Sequence, residues 1–316
     1  MSIANLGNTL VIANPASHSG RGKACAEKVA RFFEWCSSAT TSFKLVQTTG
    51  PGDAEYLAGD SLGYDTVIAL GGDGVIHEVV NGLMKISGYR RPRLGLVAVG
   101  SGNDFARTLG LPQNDTDASI HQLLTGKERI MDLGYVTADG SRFGTYFTET
   151  LSFGIDAAIA LDTTTRRQAG DSQHGSKLYL TSGLKLFSKV REPYRCTMSI
   201  DGGGQIQLNS LILTVQNGPT YGGGFAICPQ AAFDDGVLDV CYNVRQPCLP
   251  HVLLLFALAR FGKHVSSSVV RLTQARTLEL SFEDSEQVPC QIDGEELLGK
   301  SFSIKIVPSA LRVIAL

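Results

Sequence analysis

The stretch "VIALGGDGVIHEVVNGL" at residues 67–83 constrains this chain more than any other. An apolar run, Val67–Leu70, stops in Gly-Gly-Asp-Gly. Ile76, Val79, Val80 and Leu83 then recur at helical spacing. A buried strand that turns on glycines into an amphipathic helix is half of a βαβ unit, and such units build parallel sheets with helices on their faces. Open sheets of this kind bind ligands beyond the carboxyl ends of their strands. Glycine has no Cβ, so backbone N–H groups can close on phosphate oxygens, and the helix N-terminus adds partial positive charge. Asp73 is the discordant member. A carboxylate repels phosphate unless a cation stands between them, and Mg²⁺ bridges the two. On the tetrapeptide alone, an ordinary tight turn with an Asp cap competes with this reading. Neither GxxxxGK[ST] nor GxGxxG is present.

The neighbouring sequence extends the pattern. "TLVIAN" (9–14), "FKLVQT" (43–48), "TVIAL" (66–70) and "RLGLVAVG" (93–100) read as strands. Between them, 22–36 has helical periodicity through Ala26, Val29, Ala30 and Phe33. Residues 53–62 and 75–86 also read as helices, with Asp53 as a cap. "GLVAVGSGNDFARTLGL" (95–111) repeats the strand, glycine turn and helix start. There Ser101 and Asn103 can donate to phosphate, and Asp104 is either a second metal-directed carboxylate or a cap. "ANPASHSGRGK" (13–23) is a third glycine-containing turn at the same sheet edge, with donors at Asn14, Ser19 and Gly20.

After about residue 133 the character changes. "GTYFTETLSFGIDA", "RCTMSIDG", "QIQLNSLILTVQNG", "VLDVCYNV", "TLELSF", "CQIDGEEL", "FSIKIV" and "RVIAL" read as strands, interrupted by two helices near 176–189 and 249–262. The expectation is an N-terminal three-layer α/β domain with a parallel sheet, followed by a mainly antiparallel β domain, with the boundary near "DLGYV" (132–136). The 316 residues, 43% hydrophobic and 18% charged, suit two soluble domains. A net charge of −2 gives no global basic field for nucleic acid or anionic membrane. The seven cysteines, odd in number and without CxxC, read as reduced thiols of a cytosolic protein. The N-terminus reads as a first strand, not a signal peptide. The six histidines show no metal-ligand spacing, and Trp35 reads as a packing residue.

Taken together, "NPASHSG", "GGDGVIHEVVNGL", "GSGNDFAR", "NGPTYGGGFAICPQAAFDDGVLDV" and "QIDGE" resemble the diacylglycerol kinase catalytic-domain family, in its bacterial lipid kinase and sphingosine kinase-like branch. The resemblance runs from residue 14 to 295. It implies a nucleotide-binding domain at 1–133, which 308–316 would complete, and a β-sandwich lipid-substrate domain at 134–307, with ATP between them. By motif, Gly71, Gly72, Asp73 and Gly74 would hold the ATP phosphates and Mg²⁺, and Ser101, Gly102, Asn103 and Asp104 would face them. Asp132 would join the metal and water network, and Thr49 would touch the nucleotide. Asp293 would be the general base, with Glu295 beside it. Asp235, with the carbonyl oxygens of Ala232 and Val237, would hold a second, structural Mg²⁺ or Ca²⁺. The chain departs from the family at Val75, where Thr is usual, and in "NPASHSG", whose glycine comes late.

The implied activity is ATP-dependent phosphorylation of a lipid hydroxyl, with diacylglycerol the leading acceptor and phosphatidic acid the product. A carboxylate cannot deprotonate an alcohol outright but can take its proton as the O–P bond forms. "RRQAGDSQHGSKLYLTSGLKLFSKVREPYR" (166–195) carries seven Lys or Arg against Asp171 and Glu192. It reads either as a surface for an anionic bilayer or as a solvated basic face. The apolar 251–262 helix reads as core or as a dimer contact before it reads as a lipid pocket, so a homodimer stays open. The expected location is cytoplasmic, with peripheral membrane contact and no nucleic-acid partner. A soluble-metabolite kinase such as an NAD kinase, and a non-catalytic nucleotide- or lipid-binding regulator, are the rival readings.

Overall fold

The computed structural model describes residues 3–36, 42–169, 175–187, 193–283 and 288–315. Two compact units divide the chain: Met1–Met131 with Ser309–Leu316, and Asp132–Pro308.

In the first unit strands and helices alternate: β1 (Thr9–Ala13), α1 (Arg21–Cys36), β2 (Phe43–Gln47), α2 (Asp53–Gly59), β3 (Thr66–Gly71), α3 (Asp73–Met84), β4 (Arg93–Ala98), α4 (Asp104–Thr108) and α5 (Thr116–Thr125). Strands β2, β1, β3 and β4 lie side by side in that order, all parallel. The last strand of the chain, Ser301–Ala315, joins β4 in parallel through Val313 and Leu94. Every residue of β1 and β3 is buried, as expected of a parallel sheet covered on both faces. On one face Val11, Ile68, Leu70 and Val97 pack with Val29 and Phe33 of α1 and Leu123 of α5. Alternate residues point the other way. Against β3, helix α3 buries Ile76, Val79, Val80 and Leu83. Gly82 lets α2 and α3 touch through their backbones, since a Cβ there would stand 2.2 Å from the Glu55 carbonyl oxygen. Two expectations are corrected. Helix α2 stops at Gly59, short of residue 62, and Trp35 is 84% exposed on α1 instead of packing.

The second unit takes up β5 (Lys127–Ala138), which begins in the first. It continues through β6 (Thr145–Phe147), β7 (Thr150–Gly154), α6 (Ile155–Gln168), α7 (Gly175–Phe187), β8 (Tyr194–Ile200), β9 (Ile206–Ser210), β10 (Ile212–Gln216) and β11 (Leu238–Asn243). Then come α8 (Leu249–Ala259), β12 (Val270–Ala275), β13 (Thr277–Phe282), β14 (Cys290–Ile292), β15 (Glu295–Glu296) and β16 (Ser301–Ala315). One antiparallel sheet runs β12-β11-β10-β7-β14-β15. In the other, β9, β8, β13 and the first half of β16 pair antiparallel. Leu151, Phe153, Leu213 and Val240 of the first share one apolar cluster with Met198, Leu280, Phe302 and Ile304 of the second. That is a β-sandwich core. Strand β13 alternates exposed and buried residues, the mark of a sheet with one wet face.

Helix α6 is a third helix of this unit, where the sequence suggested two. "LSFGIDA" reads as continuing strand, but Gly154 (φ 79°) breaks it. The run Thr163–Thr165 has little helix propensity of its own. Tertiary packing supplies the difference: Ile155, Ile159 and Ala160 sit with Tyr179, Phe225 and Val252 in one cluster. The basic stretch at 166–195 is only partly described. Helix α7 ends at Phe187, and residues 170–174 and 188–192, with Asp171 and Glu192 among them, lie outside the described residues.

Asp156 lies in the helical layer. Burial pushes its carboxyl up to about 6, against the opposing effect of hydrogen bonds from Tyr179 and Ser152. The Tyr179 hydroxyl donates at 2.7 Å. A raised carboxyl binds its proton more tightly in the native state than in the unfolded chain. Its contribution to stability is therefore full below about pH 4 and is lost as pH rises through about 6. Unfolding free energies of the wild type and Asp156→Asn, measured by denaturant titration from pH 4 to 8, should diverge in the variant's favour by about 3 kcal/mol. A constant difference across that range would remove this assignment.

Candidate functional site

In the first unit, β3 pairs with β4 as far as Gly71 and Ala98, so their two glycine turns leave the sheet side by side. They lie against each other. A Cβ on Gly100 would stand 2.6 Å from the Gly72 Cα. Gly72 is the N-cap of α3 and offers no side-chain bond to that helix's first N–H groups, which suits an anion. Val75 is nearly buried and folds back over Gly71, where a Cβ would meet its Cγ2 at 2.8 Å. The branched shape of a Thr is thus kept at this position without its hydroxyl.

Two carboxylates border the same bare position. A Cβ on Gly102 would lie 2.7 Å from Asp73 Oδ2 and 3.2 Å from Asp104 Oδ2. Their other oxygens are anchored: Phe105 N–H donates to Asp73 Oδ1 at 3.5 Å, and Arg107 grips Asp104 Oδ1 at 2.5 Å. Among the described residues no three His, Cys, Asp or Glu side chains converge as metal ligands. A pair of carboxylates nevertheless fits Mg²⁺, which takes its remaining ligands from water and substrate phosphates. Ser101 and Gly102 are half-buried. Asn103 is 1% exposed, in a left-handed conformation (φ 51°), and donates to the Gly100 carbonyl at 3.0 Å. Its amide therefore builds the turn instead of reaching outward. Asn114 brackets Gly100 from the other side, accepting from its N–H at 3.2 Å and donating to its carbonyl at 3.1 Å.

The first turn joins them. His18 Nδ1 lies 2.9 Å from the Gly100 carbonyl oxygen, and His18, Ser19 and Gly20 all have positive φ. Asn14 accepts from the Ala16 N–H at 2.9 Å, which stiffens the loop. Thr49 is occupied locally: its hydroxyl and N–H donate to Asp53 Oδ2 at 2.5 and 2.7 Å. Those bonds, helped by the Gly50 N–H, hold the Asp53 carboxyl below the usual range. Asp53 thus ties back to Thr49 and does not cap α2. The N-cap is Gly52 (φ 84°), and Glu78 of α3 accepts from Gly52 N–H and Ala54 N–H at 2.9 and 3.1 Å. Nothing in the sequence singles out Glu78, because the contact is set by how α2 and α3 pack.

In the second unit a hydrogen-bond chain links four of the quoted motifs. Buried Asp132 accepts from Gly236 N–H at 2.7 Å, and its own N–H donates to the Phe233 carbonyl at 2.7 Å. Asn217, 1% exposed, donates to the carbonyls of both Asp132 and Thr148 at 3.0 Å. Asp293 (φ 47°) occupies the turn between β14 and β15. Its Oδ2 accepts from Thr148 N–H at 2.7 Å and from the Thr148 hydroxyl at 3.1 Å. Its Oδ1 accepts from Glu149 and Thr150 N–H, both at 3.0 Å. Glu295 is exposed on β15, paired with Ile292, and stands apart from that network. Asp235 is exposed and accepts from Val237 N–H, two residues on, at 3.2 Å. Asn217 and Thr148 are functional candidates to which sequence spacing assigns no role. Asn217 opens the quoted "NGPTYGGGF", but nothing local says where its amide points.

Asn217→Ala leaves two buried carbonyls without their donor. The substitution should cost about 2 kcal/mol, within the usual range for orphaned buried groups, read as a lower denaturation midpoint at unchanged m-value.

Comparison with known proteins agrees along almost the whole chain. Residues 8–136 match the diacylglycerol kinase catalytic domain, and 149–315 match the YegS C-terminal NAD kinase beta sandwich-like domain. The "Diacylglycerol kinase" of Bacillus subtilis is 29% identical over 90% of this chain and 88% of its own length. The "Probable lipid kinase YegS-like" of Pseudomonas aeruginosa is 33% identical over 83% and 81%. A crystal structure titled as a diacylglycerol kinase from Bacillus anthracis shares the fold at TM-score 0.74 and 22% identity, covering 98% of this chain and 97% of that one.

Proposed function

Because this chain belongs to the diacylglycerol kinase catalytic-domain family, we propose that it is an ATP-dependent lipid kinase whose leading acceptor is diacylglycerol and whose product is phosphatidic acid. One observation carries the reading: Asp73 and Asp104 border the bare position at Gly102, beside an uncapped helix N-terminus. Phosphoryl transfer needs little more from a protein than anion placement, charge neutralisation and an oriented nucleophile. Mg²⁺ would be held by Asp73 and Asp104 and would offset charge on the phosphate oxygens. The α3 N–H groups would hold the phosphates.

The acceptor hydroxyl oxygen bonds to the γ-phosphorus as the bond to the β–γ bridging oxygen breaks, and ADP leaves. The hydroxyl proton passes to Asp293. A carboxylate has about four lone-pair sites, and four donors already meet Asp293. Three of them are backbone N–H groups, and the fourth is the Thr148 hydroxyl, which can rotate away. In this reading Thr148 opens the proton-accepting lone pair on Asp293 Oδ2.

The lipid surface would be met by α7 and α8, whose close packing brings Phe256 within 2.5 Å of a Cβ on Gly183. Leu180 and Leu184 on α7, and Leu249, Leu253, Leu254 and the nearby Phe261, are all exposed. Lys177 and Lys263 are exposed beside them. None of the described helices is long and apolar enough to cross a membrane, so contact from the surface is the mode proposed. Asp235 with the carbonyls of Ala232 and Val237 is the proposed site of a second, structural cation.

The first test is transfer of label from γ-labelled ATP, with Mg²⁺, into the organic phase of diacylglycerol-containing vesicles. Label that stays in water, or moves to NAD, would reject the lipid reading. Asp293→Asn should lower kcat by about 10²–10⁴-fold, the span of general-base effects, with KM for Mg-ATP nearly unchanged. Asp73→Asn should instead raise the Mg²⁺ concentration needed for half-maximal rate. Leu254→Glu should cut the rate on vesicles by about tenfold, the worth of one buried leucine, and spare a soluble short-chain diacylglycerol. Equal loss on both substrates would exclude α8 from membrane contact.

A further inference from the structure

Beneath α8 the second unit holds a small cavity of about 50 Å³, walled by Val252, Leu255 and Phe256 together with Asp156, Cys241 and His264. A lipid chain does not fit such a space. It exceeds the room that one water needs, so a guest of roughly two or three heavy atoms fits. Cys241 belongs to β11, where ladder pairs with Thr214 and Leu272 hold it on both sides. Its Sγ lies 4.0 Å from His264 Nε2. His264 Nδ1 is buried and meets no hydrogen-bond partner among the described residues. A small polar guest would supply one.

A second sulfur stands beside the first. Cys228 falls within the quoted "NGPTYGGGFAICPQAAFDDGVLDV", yet phosphoryl transfer gives it no task. Its Sγ lies 3.8 Å from the carbonyl oxygen of Asp239, two residues before Cys241 on the same strand. Its thiol also bonds to that of Cys241. Both cysteines are free and buried, in one cluster with Val252 and Ala259 of α8. Cys228 lies outside any strand or helix, so it can approach where β11 cannot move. Burial by itself makes a thiol inert, as at Cys196 in the sandwich core, which burial pushes up to about 12. Cys241 goes the other way. The bond from Cys228 and the nearby His264 hold it below the usual thiol range against burial, while burial and the Cys241 contact hold Cys228 above it.

We propose that Cys228 and Cys241 are an oxidisable dithiol, and that a hydroperoxide entering the cavity converts them to an intrachain disulfide, with Cys241 as the attacking sulfur and His264 as its base. The site is independent of the lipid kinase reading. His264 Nε2 takes the Cys241 proton, and the thiolate attacks one peroxide oxygen as the O–O bond breaks. The departing oxygen regains a proton from His264 and leaves as water, with Cys241 now a sulfenic acid. The Cys228 sulfur then attacks the Cys241 sulfur, the S–O bond breaks, and the hydroxyl leaves with the Cys228 proton as a second water. Two thiols lose two electrons, and one hydrogen peroxide becomes two waters.

Peptide mapping tests this. The reduced full chain carrying Cys248→Ser, which removes an exposed thiol, is treated with hydrogen peroxide, denatured in iodoacetamide and mapped by mass spectrometry without reduction. We expect one peptide pair joined through Cys228 and Cys241, and its separation by dithiothreitol. In Cys228→Ser the same treatment should leave Cys241 as a sulfenic acid that dimedone traps, whereas in Cys241→Ser Cys228 should stay alkylatable. His264→Asn should slow disulfide formation about tenfold or more, the gain in thiolate that a neighbouring imidazole gives. The proposal fails if both cysteines stay alkylatable at peroxide concentrations that oxidise the half-buried Cys25 or Cys36. It fails equally if either pairs with another cysteine, if a chain unfolded in urea forms the pair as fast, or if His264→Asn reacts at its parent's rate. The parent map and the urea control decide the matter without the variants, should one of them not fold.

Discussion

The backbone contact between Gly72 and Gly100 is the constraint on which the first unit turns. Parallel pairing of β3 with β4 puts both strand ends level. Two turns emerging level on adjacent strands, about 4.8 Å apart, have no room for side chains between them. Glycine resolves the crowding, and everything beside it follows. The α3 N-terminus stays uncapped, Asp73 and Asp104 are brought to the two sides of Gly102, and His18 reaches the Gly100 carbonyl from the first turn. Packing sets the arrangement, and Arg107, Asn103 and Asn114 pin it with side-chain bonds.

The second unit solves a different problem. Its strands bury one face in a sandwich, and its candidate base, Asp293, sits on a turn, which has no ladder to hold it. Asn217 and Asp293 replace that ladder. One side-chain amide bridges the carbonyls of Asp132 and Thr148, and one carboxylate gathers Thr148, Glu149 and Thr150. The same carboxylate that orders the turn is the proposed proton acceptor. Rigidity and basicity draw on the same lone pairs there, which gives the Thr148 hydroxyl its importance.

Much of the architecture was legible in the chain. The apolar runs at 9–13 and 66–71 read as buried parallel strands because both faces of each are covered, and glycine followed by helical spacing marked the turns. The mainly β character after residue 133 came from alternation of the kind seen in β13. What escaped was decided by contacts distant in sequence. Helix α6 carries a weak local signal and is held by Tyr179 and Phe225. Asp53 has the composition of a cap, yet Glu78, 26 residues from Gly52, performs that task. Asn103 looked like a ligand donor, and its burial in the turn depends on the Gly100 carbonyl. Trp35 has the size of a core residue but falls on the wet face of α1. Side-chain direction within a turn, and the choice of one helix face over another, are three-dimensional facts that local spacing does not encode.

The last strand has a consequence for how this protein is made. Residues 309–315 belong to the first unit's sheet, where Val313 pairs with Leu94, Gln122 donates to the Ile314 carbonyl and Arg91 to that of Ala310. On the ribosome, the whole of the second unit is synthesised before that strand exists. Until then β4 presents an open, apolar edge, the kind of surface that recruits other strands. Closure of the first unit's sheet therefore follows synthesis of the second unit: β4 keeps its open edge until residues 309–315 are made.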